Sequence, residues 1–174
     1  MFFLCDKKLQ VFWYFCPHRS EMRQLIEWLD TGLPPEGPSE VSVHSVAETL
    51  LLFLDSLRVP VIPDTYYRGC LEVAENEMAC RQVVSTLPTH HKEVFNYLTH
   101  FLREVFRLKA KSGLEPKTVA PLFASVMLRD PPVTTRRNLL ASGIKARAEQ
   151  LELENRKVMF LSRFVTGDSS SVQQ

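Results

Sequence analysis

The sequence predicts an all-α protein, and three observations carry that expectation. Apolar residues recur at three- and four-residue spacing in one segment after another between Ser20 and Val165. Clusters of proline, glycine and serine separate those segments. No alternating apolar–polar pattern of a half-buried strand occurs outside residues 9–16.

The first helix is expected from Ser20, which can cap it. Met22, Leu25, Ile26 and Leu29 form its apolar stripe, and Gly32 ends it. Residues 33–43, "LPPEGPSEVSV", read as a loop. Ser45 with Glu48 three residues on has the pattern of a capping box. The body that follows, Val46 to Leu57, is apolar on nearly every side, which predicts a central, buried helix. "RVPVIP" (58–63) then stops it, because Pro60 and Pro63 fix φ and cannot continue a helix. Val59, Val61 and Ile62 make this connector a buried apolar strap.

Asp64 can cap the next helix, which reaches about Ala74 and turns Tyr66, Tyr67, Cys70, Leu71 and Ala74 inward. A shorter segment, Asn76 to Leu87, follows. Pro88-Thr89 opens a long helix to about Lys111, with Val94, Phe95, Leu98, Phe101, Leu102, Val105 and Leu108 as a wide apolar stripe and Gly113 as its stop. Pro116 suits the first turn of a helix carrying Val119, Ala120, Leu122, Phe123, Val126, Met127 and Leu128, which "RDPP" (129–132) terminates. A last helix, about Arg136 to Val165, mixes apolar positions with an exposed, salt-laced middle, "AEQLELENRK". "GDSSSVQQ" (167–174) has nothing to bury and is expected to be disordered.

Bulk properties narrow the function classes. The 174 residues suit one domain with a real core, at 45% hydrophobic and 24% charged residues. A net charge of +1 gives no reason to expect nucleic acid or an anionic membrane as partner. "RLKAK" (Arg107, Lys109, Lys111) is too short to change that and fits a basic last helical turn. The four cysteines, Cys5, Cys16, Cys70 and Cys80, include no Cys-x-x-Cys pair and read as reduced thiols of a cytosolic protein. The opening "MFFLCDKKLQVFWYFC" lacks a basic n-region. Its apolar run is also far short of the roughly 20 residues a membrane span needs.

Nothing in the spacing points to catalysis or to a cofactor. His90 and His91 are adjacent and diverge on a helix, and His100 has only Glu104 within a turn, so no set of three or four convergent zinc ligands is visible. No nucleophile elbow, Cys/His signature or glycine-rich phosphate loop is present, and Glu152 and Glu154 read as solvated charges. The pattern favours binding over turnover.

Three blocks give a more specific reading. "HSVAETLLLFLDSLRVPVIP" (44–63), "STLPTHHKEVFNYLTHFLREV" (85–105) and "KTVAPLFASVMLR" (117–129) together resemble Rho GTPase-activating (RhoGAP) domains, in the family's order and spacing. The resemblance implies a RhoGAP-like helical bundle over 19–166, after an atypical segment 1–18 that replaces the domain's opening helix, with a tail at 167–174. It also implies where catalysis would sit. Such domains insert an arginine finger into a Rho-family active site to stabilise charge on the transferring phosphoryl group, an effect of roughly 10³–10⁵ in rate. The finger loop should fall at 12–17, which read "FWYFCP" and contain no arginine. The family's lysine and arginine on the central helix fall on Leu51 and Asp55, and an asparagine falls on Thr118. An aspartate facing the GTPase's anionic site repels.

Those four losses, with "LDTG", "HSVAE" and "LFASVMLRDPP", resemble the inactive RhoGAP-like module of OCRL-type inositol polyphosphate 5-phosphatases. There it follows an immunoglobulin-like ASH domain. The resemblance implies a non-catalytic module that binds Rac-type Rho-family GTPases and short Phe-and-His adaptor peptides. It further implies a cytoplasmic location at endosomal or Golgi membranes through those partners. With no phosphatase domain in the chain, no phosphatase activity is expected of it. Arg19, Arg23 and Arg58 are candidate partner contacts, and Trp28, Tyr66 and Tyr67 are candidate exposed aromatics that fit a core equally well. Two alternatives stay open: an active GTPase-activating domain using Arg19 or Arg23, and an isoform that folds poorly.

Overall fold

A computed structural model describes residues 19–32, 41–108, 116–131 and 144–166. The regular structure in them is helical: α1 (Arg19–Thr31), α2 (Val43–Ser56), α3 (Asp64–Glu72), α4 (Glu77–Ser85), α5 (Thr89–Arg107), α6 (Pro116–Met127) and α7 (Ile144–Val165). The strand pattern at 9–16, the Gly113 stop, the Arg136 start and the polar tail fall outside the described residues. Contacts divide the chain into two units, 1–53 and 54–174.

In the first unit, α1 buries Met22 and Leu25. It ends at Gly32, whose φ of +69° is the left-handed geometry that closes a helix; its N–H donates to the Trp28 carbonyl at 2.8 Å. The start of α2 differs from the expected Ser45/Glu48 capping box. Helix geometry begins at Val43, and Ser42 takes the cap, its Oγ accepting the His44 N–H at 3.2 Å. Ser45 is buried in the first turn and donates to Glu21 Oε2 at 2.8 Å, while the Ser42 N–H donates to the same oxygen at 3.2 Å. A carboxylate from α1 thus does what Glu48 was expected to do, a pairing 24 residues apart that local sequence cannot display.

The expected burial of α2 on all sides is also corrected. Ser45, Thr49 and Leu54 are buried, whereas Val46 and Phe53 are exposed. An all-apolar pattern gives a helix the capacity to bury every side, but burial occurs only where another element supplies a surface.

The second unit is organised on α7, which packs against α3, α4, α5 and α6. Phe160, Leu161, Phe164 and Val165 form its buried end. Phe95 of α5 meets Phe164 edge-on at 5.0 Å between centroids, and Phe160 lies 5.4 Å from Phe164, arrangements that ring quadrupoles favour. Cys70 and Cys80 belong to this core, as the sequence suggests. Burial pushes the Cys70 thiol up to about 12 and raises Cys80 as well, so both stay protonated and unreactive.

Helix starts in this unit follow the proline and asparagine signals. Asn76 caps α4 by accepting the Ala79 N–H at 3.1 Å. Asp64, expected as a cap, is instead the first residue of α3; Pro63 holds the cap position and makes no side-chain cap bond. The anionic Asp64 still suits the positive end of the helix dipole. The stripe of α5 is narrower than expected, with Phe95, Leu98, Leu102 and Phe106 inward and Val94, Phe101 and Leu108 exposed.

The connector after α2 is held from three sides. Pro60, Val61 and Ile62 are buried as expected, whereas Val59 is exposed. The Ile62 N–H donates to the Met127 carbonyl at 3.0 Å, and His91 Nδ1 donates to the Val61 carbonyl at 3.0 Å. Arg129, just past α6, donates through Nη1 to the Asp55 carbonyl and through Nη2 to the Leu57 carbonyl. Those carbonyls close a helix end and have no acceptor role left inside it.

The middle of α7 is not simply a solvated face. Lys157 is 2% exposed, and its ammonium pairs with Asp130 at 2.8 Å and with Glu154 at 3.2 Å. The Tyr67 hydroxyl donates to Asp130 Oδ1, and Gln150 bridges to Asp130 and Glu154. Burial acts to raise the Asp130 pKa, but attraction and hydrogen bonding from Lys157, with bonds from Tyr67 and Gln150, outweigh it and hold the carboxyl below the usual range. Burial and the Asp130 contact raise the Tyr67 phenol, so it stays a donor. Glu154, expected to be solvated, is half-buried here; Glu152 does stay on the surface, paired with Arg156 at 2.9 Å.

Two outcomes are expected. Arg129→Ala lowers stability by about 2–3 kcal/mol, because two charge-assisted bonds to helix-end carbonyls are lost. Urea unfolding detects this as a lower midpoint at unchanged slope. Asp130→Asn costs on the order of 3 kcal/mol at pH 7 by leaving Lys157 with Glu154 alone. Since the folded Asp130 pKa lies below the ordinary value of about 3.9, its contribution is complete above that pH and is lost as pH falls through the folded value. Unfolding measured from pH 7 to 3 therefore shows a shallower acid limb in Asp130→Asn than in the parent chain.

Candidate functional site

The positions singled out by the sequence lie on α1, on α2 with its connector, and on α6. Leu51 and Asp55 are four residues apart on α2 and share one face of that helix, both half-buried. Asp55 contributes through its backbone as well, since its carbonyl accepts from Arg129. Leu51 offers only a hydrocarbon surface, and Asp55 offers a carboxylate. Neither can neutralise a developing negative charge on a phosphoryl group, which requires a cation or aimed N–H donors.

Arg58 stands exposed two residues after the end of α2. The strap on either side is anchored at Leu57 by Arg129 and at Val61 by His91, so the Arg58 backbone is fixed at both ends while its guanidinium faces solvent. Arg23 is exposed on α1. Arg19 opens α1, and its side chain lies outside the described residues, as do positions 12–17. Thr118 is exposed in the first turn of α6. A threonine there carries a hydroxyl on a short branched stem and cannot place an amide as an asparagine does.

Other arginines do structural work. Arg163 donates to the Ala74 and Glu75 carbonyls at 3.3 and 3.0 Å, just past α3, and Arg103 donates to the Phe164 carbonyl near the end of α7. With Arg129, each of these side chains serves the C-terminal end of a helix, where cations and donors are favoured. A finger role would require such a group to leave its carbonyls, so these residues are positioning groups of the fold.

The aromatic candidates divide. Tyr67 is buried with its hydroxyl on Asp130, and half-buried Tyr66 donates to the Thr86 carbonyl at 2.9 Å. Both tie α3 to its neighbours. Trp28 remains on the surface. Sequence reasoning missed two residues. His91, weighed in the sequence only as a metal ligand, holds the strap; its only signal is proximity to Pro88 at a helix start. Tyr97, at 76% exposure, was passed over because it sits beside the apolar stripe of α5. Among the described residues no group of three or more His, Cys, Asp and Glu side chains could hold a metal ion, and no helix is long and apolar enough to cross a membrane.

Comparison with known proteins agrees with this architecture. The RhoGAP domain profile matches residues 14–132. The type II inositol 1,4,5-trisphosphate 5-phosphatase of Mus musculus is 37% identical over 151 residues, covering 86% of this chain and 14% of that protein. Rho GTPase-activating protein 22 of Mus musculus is 31% identical over 124 residues, covering 65% of this chain and 18% of that protein. The chain thus spans a small part of the length of these relatives. Among solved structures, the BH domain from Graf, the GTPase regulator associated with focal adhesion kinase, superposes with a TM-score of 0.60 over 85% of this chain and 79% of that one. At 16% identity it speaks to the fold. The helix order, the strap after α2 and these matches together place the chain in the RhoGAP domain family.

Proposed function

We propose that this chain is a RhoGAP-like interaction module that binds Rho-family GTPases of the Rac type without accelerating GTP hydrolysis, and that also takes short Phe-and-His adaptor peptides. The observation that carries this reading is Asp55 on the same face of α2 as Leu51, where the family resemblance calls for cations. A carboxylate there opposes the charge that forms on the phosphoryl group, and no arginine stands at 12–17 to compensate. Arg19, Arg23 and Arg58 serve as partner contacts in this reading, since exposed cations at a rim steer association with an acidic surface. Thr118 completes the set of degenerate positions. Location at endosomal or Golgi membranes follows from the partners rather than from this chain, and the phosphatase activity named in its relative is not assigned to it.

The second reading, an active GTPase-activating domain, is favoured by the relatives named as Rho GTPase-activating proteins. Single-turnover hydrolysis by a GTP-loaded Rac-type GTPase separates the two. The expected result is an unchanged rate at chain concentrations that saturate binding to the same GTPase held with a non-hydrolysable analogue. An acceleration towards the roughly 10³–10⁵ of an arginine finger, abolished by Arg19→Ala or Arg23→Ala, would establish the active reading instead. For the adaptor claim, a Phe-and-His peptide is expected to retain the chain on beads. Equal retention by a scrambled peptide removes that part of the proposal.

A further inference from the structure

We propose that the outer face of α5 is a self-association surface, on which a second copy of this chain docks by antiparallel pairing of the two α5 helices. Val94, Tyr97 and Phe101 line this face and Leu108, the C-cap residue of α5, continues it, at 44, 76, 42 and 55% exposure. Their three-, four- and seven-residue spacings keep them in one stripe along the helix. The inward face is separately filled by Phe95, Leu98, Leu102 and Phe106, so the stripe is a second apolar face. Scattered surface hydrophobes need no explanation, but a contiguous row of this kind marks a contact.

The charges beside the stripe select the occupant. Glu93 and Arg107 are 14 residues apart, close to four turns, so they project from the same flank at opposite ends of the helix. Val94 and Leu108 stand at the same 14-residue interval within the stripe. A two-fold axis crossing α5 near His100 therefore sets Glu93 opposite the partner's Arg107, Val94 opposite the partner's Leu108, and Tyr97 against the partner's Phe101. The three pairings agree in register to within about half a helical turn. A two-fold rotation keeps the charged flank of one copy on the side of the charged flank of the other, as an isologous interface requires.

Parallel pairing about a two-fold axis along the helices would put the two charged flanks on opposite sides of the seam and leave Glu93 and Arg107 without each other. Both side chains are available, at 68% exposure for Glu93 and 75% for Arg107; Arg107 already pairs with Glu104 at 3.1 Å and has donors remaining. The seam is about 21 Å long. That is short for a permanent dimer, so association falls in the range of about 1–100 μM.

Sedimentation equilibrium of the full chain tests the proposal. The parent chain is expected to pass from monomer to dimer with concentration and to stop at the dimer. Tyr97→Glu should leave a monomer with an unchanged thermal melt, because Tyr97 is solvent-facing. Glu93→Arg should weaken the dimer about tenfold, and Glu93→Arg combined with Arg107→Glu should return it to within about threefold of the parent. A chain that stays monomeric at about 300 μM overturns the proposal. So does a dimer indifferent to Tyr97→Glu, a charge swap that fails to rescue, or growth beyond two copies.

Discussion

Two carbonyls at the end of α2 have no donor within their own helix, and the guanidinium of Arg129 supplies both. Much of the second unit's geometry follows from that contact. It fixes where α2 stops, and so the direction in which Pro60 and Pro63 send the chain. It also joins that end to the segment after α6, whose Met127 carbonyl takes the Ile62 N–H. His91 closes the same connector from α5 through the Val61 carbonyl. A buried connector cannot leave its backbone groups unpaired, so a strap of this sequence is stable only where such partners converge. Planarity matters here, because a flat fork reaches two acceptors at once where an ammonium is a point charge.

The distribution of positive charge links this architecture to function. Arg129, Arg163 and Arg103 each close the end of a helix, and Lys157 is buried between Asp130 and Glu154. These cations are thereby committed to the fold. On the same face of α2 as Leu51 stands Asp55, whose backbone the strap needs and whose side chain is a carboxylate. The fold of a RhoGAP domain and the chemistry of one are separable, because helix packing needs apolar faces and caps, whereas catalysis needs a cation at one point.

Several features were legible from residue order alone. The Gly32 stop, the start of α4 at Asn76 and the proline boundaries of α5 and α6 all follow from local rules, since each depends on neighbours within one helical turn. The misses have a common cause. Ser45 was read with Glu48, but its partner is Glu21; Glu154 was read as solvated, but it lies beside Lys157; Phe101 and Val94 were read as core, but they face outward. In each case the deciding group is distant in sequence or is the presence or absence of a packing surface. Of the candidate site, Leu51, Asp55 and Thr118 could be named from the family resemblance. The role of the Asp55 carbonyl could not, because any residue has one.

By itself the sequence determined that the chain is helical, where most helices begin and end, which family it resembles and that positions 12–17, 51 and 55 carry no arginine or lysine. These are properties of spacing and of side-chain chemistry, and both are written in order along the chain. Only the tertiary structure decided which polar groups became partners: Arg129 with the end of α2, His91 with the strap, and Lys157 with Asp130 across 27 positions. It also decided which of two apolar faces of α5 is core. A hydrogen bond or a buried face depends on what lies within a few ångströms in space, and for these residues that neighbour comes from another helix.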